Sequence, residues 1–139
     1  MTDPRRKLFC DDAQLQGHDF AGVILEGVIC MDACFDGSSF RGADLYWAIA
    51  MGASFRDCDL TDAGLRGADL KDTVFAGARL VRTDFSRDNL GGATRLQGAD
   101  LSEAIIEGCR FDGAQYDAKS KFPPGFNPDK HGLLFHERT

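Results

Sequence analysis

Large apolar residues return along this chain every five positions. They run Leu15, Phe20, Leu25, Cys30, Phe35, Phe40, Leu45, Ala50, Phe55, Leu60, Leu65, Leu70, Phe75, Leu80, Phe85 and Leu90. One extra residue enters near Gly91–Arg95. The phase then resumes at Leu96, Leu101, Ile106, Phe111 and Tyr116. Two positions before each centre stands a small residue, as at Ala43, Ala53, Ala68, Ala78 and Ala99, with Cys58, Cys109, Ser38, Thr73 and Thr83 as substitutes. Two positions after it, Gly is common, as at Gly17, Gly27, Gly42, Gly67 and Gly98. Most of the slots between are polar.

A period of five fits neither a helix at 3.6 nor a strand at 2. On a helix the Leu/Phe set would spread around the whole circumference. The pattern predicts instead a coil that turns a corner every five residues. The large and small residues, two apart on a short extended segment, both point inward. Glycine takes the corner, where backbone angles are unusual. Successive coils then stack by backbone pairing, with equivalent slots above one another.

The unit Ala-Asp-Leu-x-x recurs word for word at Ala43-Asp44-Leu45, Ala68-Asp69-Leu70 and Ala99-Asp100-Leu101. This tandem array resembles the pentapeptide-repeat proteins over roughly Ala13 to Ala118. The resemblance implies an all-β fold, a right-handed quadrilateral β-helix with four units to a coil. That gives about five coils and, at about 4.8 Å per coil, a rod about 25 Å long. Residues 1–12 are then an N-terminal cap segment, 13–118 the β-helix and 119–139 a C-terminal cap or tail.

Four units per coil predict four inward columns. One reads Leu15, Phe35, Phe55, Phe75, Leu96, Tyr116; the next Phe20, Phe40, Leu60, Leu80, Leu101. The third reads Leu25, Leu45, Leu65, Phe85, Ile106, and the last Cys30, Ala50, Leu70, Leu90, Phe111. Bulky Val23 and Val28 are expected to make up volume beside Cys30 and Ala50. His18, in a small slot, is expected to be buried and hydrogen-bonded. Asp88, in the same slot, is a poor fit because an unpaired buried carboxylate is costly. A local bulge is predicted there, with Asp88 turned to solvent or paired with Arg87 or another base.

Thr2 or Asp3, with Pro4 following, suits the start of a short helix. Leu8 and Phe9 are then placed to fold over the open end of the first coil. Beyond Tyr116 the Phe122-Pro123-Pro124-Gly125-Phe126-Asn127-Pro128 run cannot extend a ladder, because proline lacks the donor. It resembles the ending of many bacterial members of the family. Asn127 and Pro128 suit a short helix start, with Phe122, Phe126, Leu133, Leu134 and Phe135 available to cover the last coil. His131 and His136 read as surface residues.

The formal net charge is −6, which lacks the basic footprint of a nucleic-acid binder. Five cysteines, without CxxC spacing, read as reduced and structural at Cys30, Cys58 and Cys109, consistent with a cytoplasmic setting. Cys10 and Cys34 read as exposed. No run approaches a signal peptide or a membrane span. Three histidines, no phosphate loop and no zinc spacing give no basis for an enzyme, a cofactor or a metal site.

The outward slots carry one anomaly. Ile29 and Met31 flank the Cys30 centre; Ile49 and Met51 flank Ala50 one coil on; Ile24, Tyr46 and Trp47 lie on the adjoining face or corner. These seven residues are predicted to form one exposed apolar patch, whereas the same columns later turn polar at Asp69, Lys71 and Asn89. Such patches mark interfaces. Three readings stay open: self-association into a homo-oligomer, a different protein partner, or cover by the N-terminal segment. The chain is thus expected to be a non-catalytic interaction scaffold. The resemblance raises an alternative, because quinolone-resistance members of the family are similar rods bearing negative charge. Asp19, Asp59, Asp62, Asp100 and Glu103 would then imitate DNA toward a type II topoisomerase such as gyrase, although Arg41, Arg79 and Arg82 interrupt them.

Overall fold

A computed structural model describes residues 8–138; the helix start expected at Thr2 to Pro4 lies outside them. The chain winds as a parallel solenoid. Its bridges join residues 20 apart, as in Gln14 to Cys34 to Ser54 to Val74, so four five-residue units complete each turn of the spiral. Every bridged residue is the one before a centre. A centre N–H donates to the carbonyl of the bridged residue on the next coil, as from Leu45 to Gly64 (2.8 Å) and from Leu60 to Arg79 (2.8 Å).

Four ladders result. The first runs Phe9, Ile29, Ile49, Asp69, Arg95, Gln115. The second runs Gln14, Cys34, Ser54, Val74, Asp100, Lys121; the third Asp19, Ser39, Asp59, Arg79, Ile105; and the fourth Ile24, Asp44, Gly64, Asp84, Arg110. The first ladder is lengthened at its far end by β1 (Gln115–Tyr116) pairing in parallel with β2 (Leu134–Phe135).

Corners are closed by a hydrogen bond from the small-slot N–H back to the centre carbonyl, as from Ala63 to Leu60 (2.9 Å) and Ala43 to Phe40 (2.9 Å). The residue two after the centre takes a left-handed backbone there. Glycine fills it most often, and Asp32, Asp57, Asp62 and Asp72 also adopt it, because a short polar side chain tolerates this region better than most.

The interior is made by the predicted slots. Phe35, Phe55 and Phe75 stack face to face, with centroids 5.3 and 5.2 Å apart, and all three are buried. Polar small-slot residues survive inside by donating to centre carbonyls: Ser38 to Leu15 (2.7 Å), Thr83 to Leu60 (2.8 Å) and Cys58 to Phe35 (3.0 Å).

The columns differ from expectation beyond Phe85. Bridges there span 26 residues, Asp69 to Arg95, Val74 to Asp100 and Asp84 to Arg110, before returning to 20 at Arg95 to Gln115. Six residues are therefore looped out. Leu96 stacks under Leu70 instead of Phe75, Leu101 follows Phe75, and Phe111 lies face to face on Phe85 at 5.4 Å. Leu90 is no core centre; it is 86% exposed on the loop.

The ends also differ. Phe9 is bridged to Ile29 on the first ladder and is largely exposed; with Leu8 it borders the open end of the first coil without closing it. Leu15, Phe20 and Leu25 are only partly buried, and His18 is exposed, with its ring parallel to that of Phe20 at 5.9 Å. In the first coil no described neighbour closes the axial side, so a small-slot side chain there meets open space. Val23 is exposed for the same reason, while Val28 is buried. At the other end Phe122, Phe126 and Leu133 pack against the core, Phe135 sets its ring edge-on to Tyr116 at 5.4 Å, and both Leu134 and Phe135 stay exposed. The Asn127 side chain accepts from the Asp129 N–H (3.1 Å) at the start of a short 3-10 turn, Asp129–His131.

Candidate interaction surface

The seven anomalous outward residues fall on two faces and the corners between them. Ile29 and Ile49 are direct bridge partners, so their side chains stand one above the other on the first ladder. Met31 and Met51 occupy equivalent corner positions one coil apart, each accepting a backbone bond from the coil above (Asp12 to Met31, 2.9 Å; Asp32 to Met51, 2.9 Å). Tyr46 and Trp47 form the opposite corner of that face, their rings 4.2 Å apart. Ile24 is separate. It bridges to Asp44 on the fourth ladder, beyond the Glu26–Gly27 corner, and is 73% exposed. Ile29, Met31, Tyr46, Ile49 and Met51 are half-buried, and Trp47 is 40% exposed.

Phe9 belongs to the same face and was missed. At 69% exposure it heads the row Phe9, Ile29, Ile49. Continuing the five-residue period backward from Leu15 reaches Cys10, which makes Phe9 an outward residue; that signal was present in the spacing. After Ile49 the row turns to Asp69, Arg95 and Gln115. Lys71 donates to Asp69 (2.7 Å) and Arg95 lies near the same carboxylate.

The looped-out segment docks on the aromatic corner. Asp88 accepts from the Trp47 indole N–H (2.7 Å) and from the backbone N–H groups of Gly92 (2.6 Å) and Leu90 (2.8 Å). The Asn89 N–H donates to the Tyr46 hydroxyl (3.0 Å), and Arg66 donates to the Arg87 carbonyl (3.0 Å). Of the two placements expected, Asp88 stays partly exposed on the loop, and its partner is an indole rather than Arg87 or another base. The Trp47 bond and then the Gly92 N–H hold the Asp88 carboxyl below its ordinary value. Trp47 itself has φ 61°, an unusual backbone for a bulky residue, and its indole lies over Gly67, where a Cβ would fall 2.7 Å from the ring.

Two of the five candidate acids, Asp59 and Asp62, are neutralised by ion pairs. Arg41 pairs with Asp59 (3.0 Å) and Arg82 with Asp62 (2.8 Å), while Arg79 occupies the next row after Asp59. Asp100 lies on the second ladder, one face away. Among the described residues there is no metal-binding cluster and no helix long and apolar enough to cross a membrane.

A parallel solenoid built on five-residue units with Leu or Phe at the centre defines a class of repeat protein. The family described as pentapeptide repeats matches residues 38–75, 53–92 and 94–115, more than half of the chain. This chain belongs to the pentapeptide-repeat family. Among solved structures it is similar to a pentapeptide repeat protein from the Arabidopsis thaliana thylakoid lumen, at 28% identity and a TM-score of 0.67, covering 84% of this chain and 73% of that one. It also shares its fold with QnrB1, a plasmid-mediated fluoroquinolone resistance protein, at 15% identity and a TM-score of 0.52, covering 97% and 88%. No curated protein matches it.

Proposed function

We propose that this chain is a non-catalytic scaffold, a right-handed quadrilateral rod of about five coils, that associates with a second copy of itself through the Phe9–Ile29–Ile49 face. The carrying observation is that one ladder is apolar on its outside for three consecutive rows and then becomes charged. Rows spaced by the inter-coil repeat of about 4.8 Å are self-complementary. A two-fold axis through the Ile29 row sets Phe9 of each copy against Ile49 of the other, which is an isologous contact. Met31 and Met51 flank it with side chains that adapt to an irregular partner surface. A chain of net charge −6 gains from a contact with no carboxylate in its centre. The charged rows from Asp69 onward then lie outside the contact.

The topoisomerase-directed alternative is supported less well. Two of its five acids, Asp59 and Asp62, are paired with Arg41 and Arg82, which breaks the row of negative charge on that side.

Sedimentation equilibrium tests the proposal. Wild type sediments as a dimer, and Ile29→Lys with Ile49→Lys sediments as a monomer with an unchanged β-sheet spectrum. A monomeric wild type at about 100 μM, or a double variant as dimeric as wild type, contradicts it. A gyrase supercoiling assay that responds to the protein would favour the alternative.

A further inference from the structure

The first and second coils place two cysteines in register. Phe9 bridges to Ile29, with the Cys10 N–H donating to the Ile29 carbonyl (2.7 Å) and the Ile29 N–H to the Leu8 carbonyl (2.9 Å). Cys10 and Cys30 are therefore inward neighbours on adjacent parallel segments, both packed into the core. The separation of in-register residues on neighbouring strands, about 4.8 Å, lies inside the range that disulfides span, roughly 4.4–6.8 Å between Cα atoms. The pair is unique among the described residues. Cys58 and Cys109 donate instead to carbonyls, of Phe35 and Leu80. Cys34 has Gln14 and Ser54 as its ladder neighbours.

We propose that Cys10 and Cys30 form a reversible disulfide that staples the first, partial coil to the solenoid, with glutathione disulfide as the oxidant. The Cys10 thiolate attacks one glutathione sulfur, forming a mixed disulfide and releasing one glutathione thiolate, which takes up a proton. The Cys30 thiolate then attacks the Cys10 sulfur and releases the second glutathione. Two protein thiols lose two electrons and two protons, and one glutathione disulfide becomes two molecules of glutathione.

The order follows from exposure. Cys10 is half-exposed beside an apolar opening of about 210 Å³ that it lines with Leu8, Leu15 and Phe20, whereas Cys30 is buried. Burial raises both thiols above their ordinary value, Cys30 far more than Cys10, so oxidation is slow at neutral pH and accelerates as pH rises. The end coil is held from one side only, among the described residues, so it has room to adopt disulfide geometry. This inference does not depend on self-association.

The test is oxidation of the full chain with glutathione disulfide, alkylation of remaining thiols and non-reducing peptide mapping. A cross-linked Cys10–Cys30 peptide is expected, with the oxidised protein melting roughly 5 °C or more above the reduced one. Dithiothreitol reverses both, and Cys30→Ser stops at the glutathione adduct on Cys10. The proposal is overturned if wild type retains that adduct unresolved. It is equally overturned if Cys10 and Cys30 are both alkylated after oxidation, or if Cys10 pairs with another cysteine.

Discussion

Trp47 and Asp88 are 41 residues apart in sequence, yet the indole N–H of one donates to the carboxylate of the other at 2.7 Å. The bond fastens the looped-out segment to the corner of the apolar face. Trp47 is the only tryptophan, so its emission reports the contact directly. Asp88→Ala removes the acceptor for the indole and for the Leu90 and Gly92 N–H groups. Its Trp47 emission shifts to the red, and the Asn89 to Gly92 amides exchange faster, while the β-sheet spectrum is kept. Unaltered emission would show that the loop is held by other contacts.

Acid acts on the same bond. The folded-state value of Asp88 is depressed, first by Trp47 and then by Gly92. A depressed carboxylate stabilises the folded form above its unfolded value of about 3.9, and the contribution is lost as pH falls through the lower folded value. Trp47 emission is therefore flat from neutral pH to about pH 4 and changes below it. The change is absent from Asp88→Ala.

Phe55 lies between Phe35 and Phe75 in the axial stack. Phe55→Ala is expected to cost about 3–5 kcal/mol, as fully buried Phe truncations do. Phe20, at the open end and only partly buried, is expected to cost less on the same change. Urea denaturation of both variants checks the order; equal losses would mean that the described opening at the first coil is filled.

The looped-out residues are dispensable to the ladder. Removing residues 88–93 leaves Ser86-Arg87-Thr94-Arg95-Leu96, a normal unit whose Thr94 already accepts from the Gly67 N–H (2.9 Å) and donates to the Ser86 carbonyl (2.9 Å). Circular dichroism is expected to show the same cooperative β melt, within a few degrees of wild type. Removing residues 99–103, a unit inside the ladder, is expected to abolish that melt.

The far end is tied by Arg138, which donates to Asp72 (2.9 Å) and to the Gln97 carbonyl (3.0 Å). This bond holds Asp72 below its ordinary value. Arg138→Ala is expected to raise the exchange rate of the Leu134 and His136 amides several-fold, since exposed ion pairs contribute at most about 1 kcal/mol. High salt should act in the same direction.

The spacing of Leu and Phe carried the solenoid, its inward slots and the Phe35–Phe55–Phe75 stack, because burial against a repeating neighbour imposes a strict period. It did not carry the register after Phe85. A one-residue bulge and a six-residue loop leave the five-residue phase identical, since they differ by one whole unit. Leu90 stands in phase and looks like a centre. The contrary signal was Asp88, a carboxylate in a slot too small and too dry for it, next to Gly91-Gly92. The docking of that loop on Tyr46 and Trp47 depends on contacts 41 and 43 residues apart, which no local pattern encodes. The acidic face suggested by family likeness was invisible as ion pairs, because Arg41 and Arg82 reach their partners across neighbouring coils.

Isotope-filtered nuclear Overhauser spectroscopy on an equal mixture of carbon-13-labelled and unlabelled protein tests the apolar face most directly. Contacts between chains are expected among the side chains of Phe9, Ile29, Met31, Ile49 and Met51, with the Phe9 ring reaching the Ile49 methyls. A dimer whose inter-chain contacts come from any other face, or a sample with none, would contradict the account.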